Sequence, residues 1–368
     1  MNATSGRSVI VAALAGLAAG PAHAALFCVG TAAGLSNALE VASGNADDDE
    51  IRVQRGTYDR AAVSRFAYIA DDDETFDLEI SGDWNAGCTV QGHSSVTTVI
   101  DGAGIDRALM LWFPGSFATV RQLTFVGGSA HDIADHGAGL WVLGTGVEEG
   151  IAFRVENNVF IGNDATFGGG LAVTGATIVQ VINNVLVANA AADLTSAAEL
   201  VSSEGAVYFA NNTLLGNGPQ HEAVYIYSAL GAYVVNNNFD DDDVSDLRIY
   251  VPQGEHPSNI LRNNNISSWD IQGSPIEEDN INVDPDYQPG FLNFTPERNS
   301  PLVDAGREPQ FLEFWFLTDF DINGSPRTVG PHVDIGAFEN ETLLADGFDP
   351  QGPFGVISAM FSDNGVSP

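Results

Sequence analysis

Short runs of Val, Ile, Leu and Phe recur down the middle of the chain, and each breaks at the pair Asn-Asn. The runs read ValGluAsnAsnValPhe at 155–160, ValIleAsnAsnValLeu at 181–186, PheAlaAsnAsnThrLeu at 209–214, ValValAsnAsnAsnPhe at 234–239 and LeuArgAsnAsnAsnIle at 261–266. The second Asn of each pair (Asn158, Asn184, Asn212, Asn237, Asn264) marks successive steps of 26, 28, 25 and 27 residues. A fixed period of this size means one supersecondary unit stacked many times. Apolar pairs on both sides of a polar pair describe two short strands meeting at a corner, not a helical turn. Asn tolerates the left-handed backbone such a corner needs, and its amide can bond the Asn above and below in a stack. These five residues are therefore expected to form a structural ladder.

The same reading extends toward the N-terminus. Residues 51–58 alternate apolar and polar, and further strands are predicted at 76–81, 97–100, 108–113 and 118–125. Before them, Leu35, Leu39 and Ala42 fall at helical spacing behind a possible Ser36 cap. A short helix there would cover the open edge of a β stack, which otherwise invites aggregation. The expected fold is all-β: a right-handed parallel β-helix, or solenoid, over 51–285. An N-terminal helical cap at 25–50 precedes it and a C-terminal cap at 286–340 follows. About nine turns at ~4.8 Å per strand predict a rod of roughly 43 Å, and the crossover preference sets its hand. Length alone allows two globular domains, but the repeat runs through the point where they would divide.

Composition fits this picture and bears on compartment. Forty glycines and sixteen prolines favour a turn-dense β protein. Residues 1–24 have the three parts of a secretory signal peptide, with an apolar core from Val9 to Ala19 and small residues before Ala25. That core is too short for a bilayer and no later segment reaches the ~20 apolar residues of a span. Secretion or surface display is therefore expected, with no membrane span, and 341–368 is expected to be a flexible tail. The two cysteines, Cys28 and Cys88, read as one disulfide in an oxidising compartment. Forty-nine acidic residues stand against thirteen basic ones, all arginine, for a formal charge of −36. Such a chain repels polyanions, so nucleic acid is not an expected partner. The acidic runs 47–50, 71–74 and 240–243 read most simply as solvated loop tips.

Taken together, these residues resemble the right-handed parallel β-helix proteins of the pectate-lyase-like superfold, in a secreted bacterial branch. AsnSerProLeuValAspAlaGly at 299–306, AspPheAspIleAsnGlySerProArg at 319–327 and ValAspIleGlyAlaPheGlu at 333–339 resemble the "choice-of-anchor Q" domain that ends many such proteins. The opening, from Cys28 through GlyThrTyr at 56–58 to SerGlyAspTrpAsnAlaGlyCys at 81–88, is similar to theirs as well. LeuLeuAlaAspGlyPheAsp at 343–349 resembles a short tail motif of secreted proteins. The resemblance implies fold and compartment but no particular reaction. The GlyHisGly and ArgIleLys of galacturonan hydrolases are absent, as are the TrpIleAspHis and ArgXxxProXxxxArg of pectate lyases.

Three places carry candidate chemistry. The insertion 129–137 places His131, Asp132, Asp135 and His136 together, either as an acid–base or metal set or as a solvated loop tip. His221 with Glu222, His256 and His332 stand alone and read as structural or solvated. Asp319, Asp321 and Asn323 with Gly324 match the first half of a calcium loop, but Gly330 stands where its closing Glu belongs. They read either as a Ca2+ site or as a tight turn in which Asp caps backbone amides and Arg327 pairs with Asp334 or Glu339. Tyr225, Tyr227, Tyr233 and Tyr250 fall on neighbouring rungs. Because side chains alternate along a strand, either Tyr225 and Tyr227 or Val224 and Ile226 must face outward, and outward tyrosines would suit sugar rings. The expected function is non-catalytic binding or adhesion to carbohydrate or another surface polymer; the alternative is a polysaccharide-degrading lyase or glycoside hydrolase acting in a groove.

Overall fold

The structure is a computed structural model and describes residues 24–45, 47–70, 76–113, 117–132, 135–144, 152–175, 178–218, 222–240, 245–252, 259–290, 293–307 and 318–340. Residues 1–23 of the expected signal peptide, the expected tail at 341–368, the acidic runs at 71–74 and 241–243, His221 and His256 fall outside the described residues. The chain winds as an all-β parallel solenoid of the right-handed β-helix class with about eight turns. That is one turn fewer than the period predicts, because the early turns are larger than the later ones. Leu78 lies beside Ala118 and Ala118 beside Phe153, whereas Phe153 lies beside Val179 after a regular step.

Three long parallel sheets of ten, eight and seven strands form the walls, with a small three-stranded sheet at one corner. Alternation along each strand sends every second side chain inward, and parallel register lines those side chains into files. Ile51, Ile80, Val120, Val155, Val181, Phe209, Val234 and Leu261 make one file on the ten-stranded sheet. Phe125, Phe160, Leu186, Leu214 and Phe239 make another on the seven-stranded sheet, where the first two rings stack at 5.0 Å. These files join one continuous buried core.

The Asn pairs sit where the ten-stranded sheet turns into the seven-stranded one, and the two members do different work. The first member, at Asn157, Asn183, Asn211, Asn236 and Asn263, takes the left-handed backbone, with φ between 50° and 57°. The second points inward and forms the ladder. Asn158 donates to Asn184 at 3.2 Å, Asn184 to Asn212 at 3.1 Å, Asn212 to Asn237 at 3.0 Å and Asn237 to Asn264 at 3.0 Å, with Asn280 closing the file. Burial without water makes these bonds obligatory, since an unpaired amide inside the coil would cost more than the bond contributes. A second file, Asn163, Asn189 and Asn217, runs down the next corner at 2.9 Å per step; its signature, Asn after Gly or Ala at 162–163, 188–189 and 216–217, was present in the sequence but unrecognised.

At the N-terminal end the helix Ala32–Ala42 buries Leu35, Ala38, Leu39 and Ala42 against the first strands. Its cap is Thr31, not Ser36. The Thr31 hydroxyl accepts from the Gly34 amide at 3.0 Å, and the Ser36 hydroxyl donates to the Arg65 carbonyl. The alanines at 32 and 33 carry the helix one turn further back than the apolar spacing alone indicates. Cys28 and Cys88 are joined at 2.04 Å, closing a 60-residue separation. Beside the bridge, Arg52 lies 4.2 Å over the Trp84 ring and donates to the Cys88 carbonyl. Among the described residues no helix is long and apolar enough to cross a membrane.

The described residues of 286–340, the segment expected as a C-terminal cap, lie along the flank of the coil. Its Phe294, Ile322, Ala337 and Phe338 pack on Val159, Ile161, Val185 and Val187, the outward side chains of the seven-stranded sheet. It also runs past the outer Asn file. Asn263 donates to the Ala305 carbonyl, Asn236 to that of Arg307, Asn211 to that of Gly336 and Asn183 to that of Phe320. Gly336, at φ 102°, makes the closest approach: a Cβ there would stand 2.7 Å from the Thr213 hydroxyl.

Candidate functional site

On the eight-stranded sheet Val224 and Ile226 are fully buried, so Tyr225 and Tyr227 face outward. Two files run along this outer face. One holds Trp141, Ala172, Glu199, Tyr225 and Arg248, the other Leu143, Thr174, Val201, Tyr227 and Tyr250. Tyr227 and Tyr250 stack at 5.6 Å and 15°. Tyr233 does not belong to this face; it stacks on Tyr208 at 4.8 Å on the ten-stranded sheet.

The described residues of the insertion 129–137 fold over the Trp141 end of the first file. The His136 ring lies parallel to Trp141 at 5.9 Å and to Phe167 at 4.9 Å, and its Nδ1 meets Glu199 Oε2 at 2.5 Å. Ala172 stands between Trp141 and Glu199 in register, faces outward, and is nevertheless fully buried. Its small side chain leaves the space the loop occupies. Arg107 holds the loop from the other side: its guanidinium sits 4.7 Å from the Trp141 ring centre, bonds Asp135 Oδ1 at 2.5 Å and donates to the His136 carbonyl at 2.8 Å. Burial works to raise the Asp135 carboxyl, but the Asp132 amide and the Arg107 guanidinium outweigh it and hold that carboxyl below its ordinary range. The buried Trp141 indole N–H has no acceptor among the described residues. On Tyr225, burial first and then the neighbouring Glu199 carboxylate push the phenol above its ordinary range.

The four loop residues therefore do not converge on one point. Asp135 and His136 join the cluster through Arg107 and Glu199. His131 turns away to Asp164 at 3.3 Å, both half in solvent, and Asp132 is exposed, holding the loop through its backbone. Glu199, Arg107, Trp141 and Phe167 were not singled out in the sequence. Only the register of the coil places them beside His136, which is 63 residues from Glu199. Further along, Arg248 bridges Glu222 at 2.8 Å and Asp270 at 3.2 Å.

The Asp319–Asn323 turn is organised differently from a cation loop. Asp319 is exposed, whereas Asp321 is buried and spends both oxygens on backbone amides, of Asn323 and Ser325 on one side and Glu339 on the other. Among the described residues no group of three or more His, Cys, Asp or Glu is placed to hold a metal ion. The turn is part of a clasp that joins all three C-terminal motifs. Arg327 pairs with Glu339 at 3.0 Å and donates to the carbonyls of Asp334 and Gly336. Asp334 accepts from the amides of Asp304 and Asn340. Three carboxylates thus lie in the field of one guanidinium out of water, Glu339 in contact with it. Burial pushes Asp321 and Asp334 up to about 6 and Glu339 up to about 8, the Arg327 charge opposing it in each case.

No known protein family, curated protein or solved structure matches this chain.

Proposed function

We propose that the protein is an exported β-helix that binds carbohydrate along the outer face of its eight-stranded sheet, with a C-terminal segment of the choice-of-anchor type and without catalysis. The observation that carries this reading is the row of outward aromatic rings: Trp141 with His136 and Phe167 at one end, Tyr225, Tyr227 and Tyr250 further on. Rings presented by consecutive strands are spaced ~4.8 Å apart along the rod, so an extended polymer lying on the face meets a side chain at every turn. Glu199, Glu222 and Arg248 add hydrogen-bonding groups between the rings, as polyhydroxyl recognition requires. A glycan array tests it. Binding to at least one polysaccharide is expected, weakened at least tenfold by Trp141→Ala and by Tyr227→Ala. No binding, or binding unchanged by both substitutions, refutes it.

One observation favours a second reading, a groove enzyme: the 2.5 Å contact between the His136 imidazole and the Glu199 carboxylate beside the aromatic rings, an arrangement of the kind general acid–base catalysis uses. Release of reducing or unsaturated ends from a bound polysaccharide, lost in Glu199→Gln while binding persists, would decide for it.

A further inference from the structure

A second cleft, of about 330 Å3, opens on the other side of the coil. It lies where the outer face of the ten-stranded sheet meets the Asp319–Asp321 turn, and its walls include Gln91, His93, Arg121, Gln122, Arg154 and Phe320. We infer that this cleft binds a neutral saccharide of one or two rings, separately from the aromatic face of the eight-stranded sheet.

Gln122 is the first ground. It is 4 % exposed, its Nε2 donates to the Gly92 carbonyl at 2.9 Å, and its Oε1 has no donor among the described residues. The Gly92 bond fixes which way the amide points, leaving a buried acceptor at the cleft that only an incoming O–H or N–H can satisfy. Charge is the second. Both guanidiniums already have a carboxylate of their own, Arg121 with Glu79 at 2.6 Å and Arg154 with Glu156. They therefore offer N–H donors without net positive charge, and Asp319 adds a further carboxylate to the wall. Among the described residues lining the cleft an anionic ligand finds no uncompensated guanidinium, and the chain as a whole carries −36. A hydroxyl, which donates and accepts at once, matches alternating guanidinium, amide and carboxylate groups. Shape is the third. His93 and Phe320 stack at 4.0 Å and 27°, giving the polar cleft one flat ring-built wall for the C–H face of a sugar. The volume is at the small end of ligand sites, which suits one or two rings and not a chain.

Saturation-transfer NMR on the full protein tests this, with glucose, galactose, mannose and their β-linked disaccharides as probes and galacturonic acid as the charged comparison. Gln122→Asn keeps a residue that accepts the left-handed backbone at this corner, φ 56°, but withdraws the acceptor. His93→Ala removes an exposed ring without touching the core. A neutral sugar is expected to saturate the protein, with affinity reduced at least tenfold in both variants, unchanged in Trp141→Ala, and unaltered melting temperatures showing that the variants are folded. Saturation by none of the neutral sugars, tighter binding of galacturonic acid, or wild-type affinity in both cleft variants would overturn the inference. Loss of sugar binding in Trp141→Ala alone would overturn it too, while leaving the aromatic-face reading intact.

Discussion

Asn212 is the middle of the interior ladder, and replacing it with Ala puts a number on the ladder. Its side chain donates to the Val181 carbonyl at 2.9 Å and to Asn237 Oδ1 at 3.0 Å. It accepts from the Asn184 amide at 2.9 Å and the Asn184 side chain at 3.1 Å. In Asn212→Ala the Asn184 side chain keeps its bonds to Val155 and Ile182, and Asn237 Oδ1 keeps the Asn212 backbone amide. The Asn184 backbone N–H, fully buried, is left without its partner. One orphaned amide costs about 2 kcal/mol and each further lost bond about 0.5–1 kcal/mol, so the expected loss is about 4 kcal/mol. Asn280, at the last rung, makes three of these four contacts, to Asn264 and Leu261, but is half-buried. Water can replace what Asn280→Ala removes, and the expected loss there is about 1 kcal/mol. Urea unfolding followed by circular dichroism and by tryptophan fluorescence reads both variants, two probes being needed because a solenoid can unfold in parts. A loss below about 1 kcal/mol for Asn212→Ala, or equal losses at the two positions, would show that the ladder is ornamental to stability.

The C-terminal clasp gives a pH dependence of definite sign. Asp321, Asp334 and Glu339 all have folded-state values above their ordinary 3.8 and 4.5, so the folded state binds protons more tightly. The stability they contribute is complete below about pH 4 and is lost as the pH rises through about 6 and then about 8. Hydrogen exchange of residues 318–340 should therefore be slower at pH 5 than at pH 9 after correction for intrinsic rates, and Glu339→Gln should flatten the upper part of the change; a reversed trend would contradict the assignment. Reduction of the Cys28–Cys88 bridge opens a loop of 60 residues, and the chain-entropy estimate puts its effect near 4 kcal/mol. A melting temperature that does not move on complete reduction would show that the Arg52–Trp84 contact and strand pairing hold the N-terminal end by themselves.

How much of this was legible in the sequence follows from the range of the forces involved. The Asn period, the apolar alternation and the glycine-rich turns are local signals repeated many times. Any one rung is weak, but the repetition adds, and it determined the coil, the inward files and the file of second asparagines. The alternation Val224-Tyr225-Ile226-Tyr227 required one pair to face outward, and burial of the aliphatic pair in the common core settled which. What the sequence could not determine was every relation between turns that depends on register. Glu199 meets His136 because the coil sets them two turns apart on one face and Ala172, on the strand between, leaves room, a fact of stacking and not of spacing. His131 and Asp132, adjacent to the cluster in sequence, turn away from it because the Asp164 carboxylate and the exposed corner lie on their side. Asp321, which reads as a cation ligand by its neighbours, instead accepts from the nearby amides of Asn323 and Ser325 and from that of Glu339, eighteen residues on. In each case desolvation decided: once a polar group is taken out of water it pairs with whatever the tertiary structure brings within reach, and the sequence names the group but not the partner.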